Sequence, residues 1–108
     1  MPYTAKHRFA QISPRKVRVF ADLIRGKFAD EALELLSSYP NRGARLFEKV
    51  IRSAMHNAED LRESNLKYLT IKDARVDSGP YSKRRRPKSR GSSTVIMKRT
   101  SHLTVVLD

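Results

Sequence analysis

Three groups of residues in this sequence have side chains that could do chemistry. Ser101-His102 sets a hydroxyl beside an imidazole, the start of a hydrolytic pair. Neighbours on a strand point to opposite faces, and no third member or nucleophile elbow accompanies them. His102 is therefore expected to be a structural or RNA-facing side chain. His56 and Asp60 stand four apart on a helical pattern and could share a metal, but two ligands alone make a weak site. His7 has no evident partner, and Asn57 and Glu59 fit a helix surface or a local hydrogen bond. The third group is the stretch KRRRPKSR at residues 83–90, in which six of eight residues are Lys or Arg and none is acidic. Its chemistry is neutralisation of a polyanion. The guanidinium fork can bridge phosphates and stack on exposed bases. Catalytic residues, a cofactor, a metal and a small-molecule substrate are not expected.

Charge supports that choice. The chain has 23 Lys and Arg against 11 Asp and Glu, a net charge of +12. So basic a protein has a polyanion as its natural partner. An amphipathic membrane anchor would place large apolar residues among the cations, and KRRRPKSR has none, so no membrane partner is expected. The charge is also uneven. Gly79 to Arg99 holds eight cations (Lys83, Arg84, Arg85, Arg86, Lys88, Arg90, Lys98, Arg99) and no acid, which leaves 15 cations against 11 acids elsewhere. A nearly ordinary domain thus carries a concentrated basic device. The absence of acids in that segment argues against metal-dependent nucleic-acid chemistry there, which needs converging carboxylates.

A small domain must position this device. A length of 108 residues fits one domain with a modest core. The absence of cysteine excludes a disulfide scaffold and a thiolate site, and fits a reducing compartment. No stretch approaches the ~18 apolar residues of a membrane span. The N-terminal MPYTAKHRFAQ lacks the apolar region of a secretory signal.

Residues 3–9 alternate as a short strand. Ser13 and Pro14 open a helix whose stripe is Val17, Phe20, Ala21 and Ile24, with Gly26 as its stop. A second helix is expected from about Asp30 to Ser37, burying Ala32, Leu33 and Leu36 before Pro40. A third spans about Arg42 to Leu61, with Phe47, Val50, Ile51, Ala54, Ala58 and Leu61 on one stripe. The period then changes. Leu69, Ile71, Ala74 and Val76 form a strand with a phase slip near Asp73, the sign of a bulge. Leu103, Val105 and Leu107 alternate cleanly, and Val95 and Met97 continue that phase backwards. Helices grouped before the main strands predict an α+β fold, an antiparallel sheet with helices on one face.

The basic stretch lies between two strand signals, in turn-rich sequence. It is expected to be a hairpin with Asp77–Ser82 rising, Ser92–Lys98 returning and the tip near Pro87–Gly91. About ten residues per arm would carry the tip roughly 30 Å from the sheet. The expected partition is a globular part of about 1–77 with 99–108, and an extended hairpin of about 78–98. Such a ribbon has no core, and its outer half is expected to be ordered only where phosphates neutralise it.

ISPRKVRVFADLIRGK, SAMHNAE, VDSGP and MKRTSHLTVVL occur here in the order found in the large-ribosomal-subunit protein L-twenty-two family. The chain resembles the bacterial type of that family from about Ala5 to Leu107. The resemblance implies three helices packed on a small antiparallel sheet, with a long extended β-hairpin. It implies a structural, non-enzymatic role in the cytoplasmic ribosome, with large-subunit rRNA and neighbouring large-subunit proteins as partners and an early part in subunit assembly. It further implies that the hairpin lines the nascent-peptide exit tunnel, that its tip (Pro87, Lys88, Ser89, Arg90, Gly91) touches the nascent peptide transiently, and that hairpin variants alter the response to macrolides. The family's basic helix start falls on Arg15, Lys16 and Arg18, and its strand entry on Lys98, Arg99, Thr100, Ser101 and His102. There are departures. Gly91 is followed by Ser92-Ser93-Thr94, so the returning arm is less basic, while Arg85 and Arg86 stand where relatives often have an apolar residue. The alternative is a free-standing RNA- or DNA-binding regulator. The sequence contains no zinc-finger spacing or RNP aromatic motif to support one.

Overall fold

The computed structural model describes residues 2–61 and 66–108. Among these, β1 (Tyr3–Ala10) is followed by three helices, α1 (Pro14–Ile24), α2 (Ala29–Ser37) and α3 (Arg42–Asp60). A short 3₁₀ turn at Leu66–Tyr68 leads into β2 (Ile71–Ser78). Next come β3 (Ser82–Pro87), β4 (Ser93–Lys98) and β5 (Ser101–Leu107). The main sheet is antiparallel in the order β1-β5-β2, and β3 pairs with β4 in a separate two-stranded ribbon. The architecture is α+β, as the periodicities predict.

The helices form where their apolar stripes can be buried. Val17, Phe20, Ala21 and Ile24 of α1 and Phe47, Val50, Ile51, Ala54 and Ala58 of α3 are buried. They pack with Ile71, Ala74, Leu103, Val105 and Leu107 of the sheet. Leu61 departs from the expected stripe. It follows the last helical residue and is 64% exposed. Gly26 ends α1 with φ 86°, a conformation glycine adopts without cost. Its N–H donates to the Ile71 carbonyl at 2.9 Å, joining the helix end to β2.

β2 is an edge strand, and its outer carbonyls would otherwise be a template for another strand. Arg18 of α1 and Arg25, just past its end, cover them. The Arg18 guanidinium donates to the Val76 carbonyl at 3.3 and 3.4 Å, and Arg25 donates to the Ala74 carbonyl at 2.5 Å. The expected bulge is present, because the β2–β5 register slips between Ile71 and Asp73. Asn57, given no role by the sequence, donates to the Thr4 carbonyl at 3.0 Å and ties α3 to β1. The ribbon makes the molecule long, with extents of 63 × 25 × 17 Å.

Candidate nucleic-acid interface

The ribbon's register decides how its charges are displayed. Lys83 lies opposite Met97, Arg84 opposite Ile96, Arg85 opposite Val95 and Arg86 opposite Thr94. The cations are on the outgoing arm and their partners on the returning arm are uncharged, so no like charges oppose one another across the ladder. The aliphatic stems of Lys and Arg can cover an apolar partner while the heads stay in water. Val95 and Met97 therefore do not extend the core as their phase suggested. They are 54% and 37% exposed and sit across from cations. Because successive strand residues face opposite ways, Lys83 and Arg85 charge one face of the ribbon and Arg84 and Arg86 the other.

The tip is a 3₁₀ turn at Ser89–Gly91, closed by the Lys88 N–H donating to the Ser92 carbonyl at 2.6 Å. Arg90 and Gly91 both lie in the left-handed region, at φ 59° and 73°. Lys88, Arg90 and their neighbours in the turn are exposed. The ladder itself has six residues per arm, about 20 Å of reach at ~3.3 Å per residue.

Neither arm runs unbroken into the main sheet. Gly79–Tyr81 interrupts one and Arg99-Thr100 the other. Local contacts close this root. The Gly79 N–H donates to the Thr100 carbonyl at 3.0 Å, and the Thr100 hydroxyl donates to the Pro80 carbonyl at 2.5 Å. A Cβ on Gly79 would lie 2.4 Å from Thr100 Oγ1 and 3.2 Å from His102 Nε2, so only glycine fits. His102 Nδ1 accepts the Phe9 N–H at 3.0 Å, which places the imidazole proton on Nε2. The two rings meet edge to face at 4.9 Å. Phe9 occupies a bulge between His7 and Ala10, at φ 59°. For a bulky residue that conformation costs on the order of 1 kcal/mol. Ser101 turns the other way, and its buried hydroxyl donates to the Ile12 carbonyl at 2.6 Å. No Ser–His pair forms.

Between the root and the body is a cleft of about 1100 Å³. Its cations are Lys16, Arg42, Arg84, Lys98 and Arg99, and among the described residues no acidic one borders it. Tyr81 stands at its edge, 55% exposed. Two helices start here, α1 after Ser13 and α3 after Asn41. Neither cap residue bonds the first-turn N–H groups through its side chain, and neither helix has an acid in its first turn. Helix starts of this kind favour an anion.

The sequence-predicted residues thus divide. Lys16, Arg84, Lys98 and Arg99 come together in the cleft. Lys98 and Arg99, neighbours that a continuous strand would turn to opposite faces, both border it, because Arg99 lies in the break between β4 and β5. Lys83, Arg85, Arg86, Lys88 and Arg90 line the outer ribbon and tip, and Arg15 is exposed on α1. Arg18 is engaged with β2, and His102 with Phe9. Sequence reasoning missed Arg42, whose signal was a cation at the start of a helix whose N-cap, Asn41, bonds no first-turn N–H. His56 lies 3.5 Å from Glu59 in an exposed i, i+3 pair, with Asp60 outside it.

Residues 5–108 match the family model described as ribosomal protein L22p/L17e. The chain is 50% identical to the large ribosomal subunit protein uL22 of Rhodopirellula baltica, over 97% of this chain and 92% of that protein. It is also 50% identical to the protein of that name in Caldicellulosiruptor saccharolyticus, over 96% and 85% of the two chains. Identity to the Desulfosudis oleivorans protein of the same name is 47%, over 96% and 90%.

Proposed function

Because this chain belongs to the ribosomal protein L22p/L17e family, we propose that its basic cleft and ribbon hold large-subunit rRNA. The protein is a structural constituent of the large ribosomal subunit, with rRNA and other ribosomal proteins as partners, and it is not an enzyme. In bacteria that particle is cytoplasmic.

The observation that carries the reading is the placement of cations on both faces of the ribbon. A protein lying on an RNA surface needs charge on one face only. A ribbon charged on both is suited to a crevice with phosphates on either side, where each contact releases counterions and affinity falls steeply with salt. Lys83, Arg84, Arg85, Arg86, Lys88 and Arg90 act along the ribbon, and Lys16, Arg42, Lys98 and Arg99 at its root. Arg15 adds an exposed cation on α1. Arg18 and His102 hold the scaffold that presents them. The domain anchors, and the hairpin of about 78–98 penetrates. Its narrow section and its reach support a place in the wall of the peptide exit tunnel, with Pro87, Lys88, Ser89, Arg90 and Gly91 nearest the nascent peptide.

Sedimentation of a cell lysate through a high-salt sucrose gradient tests the reading. The protein is expected with the large subunit at one copy per particle, and recovery at the top of the gradient would defeat the proposal. A photo-crosslinker at Arg90 tests the tunnel placement. Adducts with a stalled nascent chain are expected, and crosslinks to rRNA alone would remove the tip from the tunnel.

A further inference from the structure

Phe9 is the feature that the fold does not explain. It is a large apolar side chain, 53% exposed, on a backbone that favours glycine. Its φ of 59° serves the bulge, and the His102 bond to its N–H fixes that bulge through the backbone alone. Glycine would make the same bond without strain. The ring therefore needs a separate reason. Within the protein it meets His102 edge to face, and the Arg8 guanidinium lies 5.1 Å from its centre. More than half of the residue still faces water beside the root of the basic ribbon. Strain retained at an exposed side chain is a mark of a functional position.

We infer that Phe9 is a stacking platform for an unpaired RNA base, with Arg8 beside it to stack on or neutralise the same nucleotide. The inference rests on the rRNA-binding reading above. Unpaired bases in RNA are held by aromatic rings and Arg planes in this way. Stacking is tolerant of base identity, because every base has a π-face. His102 is the positioning residue. Its Nδ1 holds the Phe9 backbone and its ring props the aromatic edge, while Gly79, close against its Nε2, leaves room for it. The root of the hairpin thus offers two kinds of contact, phosphate neutralisation in the cleft and base stacking at Phe9.

The test compares Phe9→Gly and Phe9→Tyr with the parent chain, using deproteinised bacterial large-subunit rRNA as probe and urea denaturation as the folding control. Phe9→Gly keeps the bonded N–H, and the φ strain it relieves offsets the greater freedom of its unfolded chain and the lost ring contact with His102, so its denaturation midpoint should stay close to the parent's. Its affinity should nonetheless fall about tenfold. Stacking releases no counterions, so the loss should be equal at low and high salt, with the salt slope unchanged. Phe9→Tyr should bind as the parent does. Equal binding by Phe9→Gly would overturn the inference, as would a loss that tracks a lowered midpoint or one that Phe9→Tyr shares. A parent chain that fails to bind the rRNA would instead remove the rRNA-binding reading itself, and this inference with it.

Discussion

Replacing Gly79 by alanine should disturb the hairpin root by steric means alone. Gly79 does not lie in the left-handed region, so its backbone accepts alanine without strain. The added methyl would lie 2.4 Å from Thr100 Oγ1, where an ordinary contact needs about an ångström more. The hydroxyl cannot retreat freely, because it donates to the Pro80 carbonyl at 2.5 Å. Losing that bond costs about 1 kcal/mol, and overpacking adds about 1–3 kcal/mol. The restricted unfolded chain returns about 0.4–1 kcal/mol. The net destabilisation is therefore about 1–3.5 kcal/mol, unless the ribbon swings to relieve it. Thr100→Ala removes the obstructing oxygen, so the double variant should regain part of the loss. The coupling should be about 1–2 kcal/mol, read from a urea double-mutant cycle. Any swing is measurable directly. The chain has no cysteine, so spin labels on Ser92→Cys and Glu34→Cys report the tip-to-body distance by pulsed electron resonance. The reasoning is refuted if Gly79→Ala leaves both the midpoint and the distance unchanged, or if Thr100→Ala fails to relieve it.

Deleting residues 83–90 should lower the slope of log affinity against log salt while the helical circular-dichroism signal persists. A lost helical signal would contradict the separation of ribbon from body. Arg42→Ala and Lys16→Ala should each reduce that slope by about one, whereas Arg18→Met should leave it nearly unchanged and destabilise the fold by about 0.5–1.5 kcal/mol, since its partner is the Val76 carbonyl. Binding isotherms at four salt concentrations with matched urea curves separate the two effects. The Asp108 carboxyl is held below its ordinary 3.8 chiefly by the hydrogen bond from Lys72, with the charge of that ammonium adding to it. A depressed carboxyl pKa stabilises above the unfolded value and ceases to do so as pH falls through the folded one. The Lys72–Asp108 contribution should thus be present in full above about pH 4 and be lost as pH falls through the lowered folded value. Lys72→Met should move the Asp108 NMR titration midpoint upward, and an unmoved midpoint would refute the pairing.

Much of the fold was legible because it is periodic. The stripes of α1 and α3 and the phase slip before Asp73 follow from where apolar residues recur, while Leu61, Val95 and Met97 share the phase and stay outside the core. The interface was legible as charge but not as geometry. Arg15, Lys16 and Arg18 looked like one basic cluster. At 100° per residue, Lys16 and Arg18 point about 200° apart. The first borders the cleft and the second reaches the edge of β2. Lys98 and Arg99 failed in the opposite sense. Strict alternation separated them, and the break after β4 brought both to one cleft. Sequence periodicity describes a residue within its element, and these assignments depended on where elements end.

The same breaks change the account of what aims the ribbon. A continuous pair of long strands would inherit its direction from the sheet through an unbroken ladder. Here the ladder stops at Ser78 opposite Ser101 and resumes at Ser82 opposite Lys98. Between them the connection depends on the Gly79–Thr100 and Thr100–Pro80 bonds, with the His102 ring packed against Gly79. The direction of a ribbon of about 20 Å is therefore set by a few atoms at its base. A rotation of 10° there would displace the tip by about 3–4 Å, more than the length of a hydrogen bond. That leverage explains why the root is built from a glycine that excludes a methyl, and from side chains tied within the protein, Thr100 to the Pro80 carbonyl and His102 to the Phe9 N–H. On the proposed reading, the cations farther out remain solvated until RNA meets them, because their task is neutralisation and the aiming is done before they arrive.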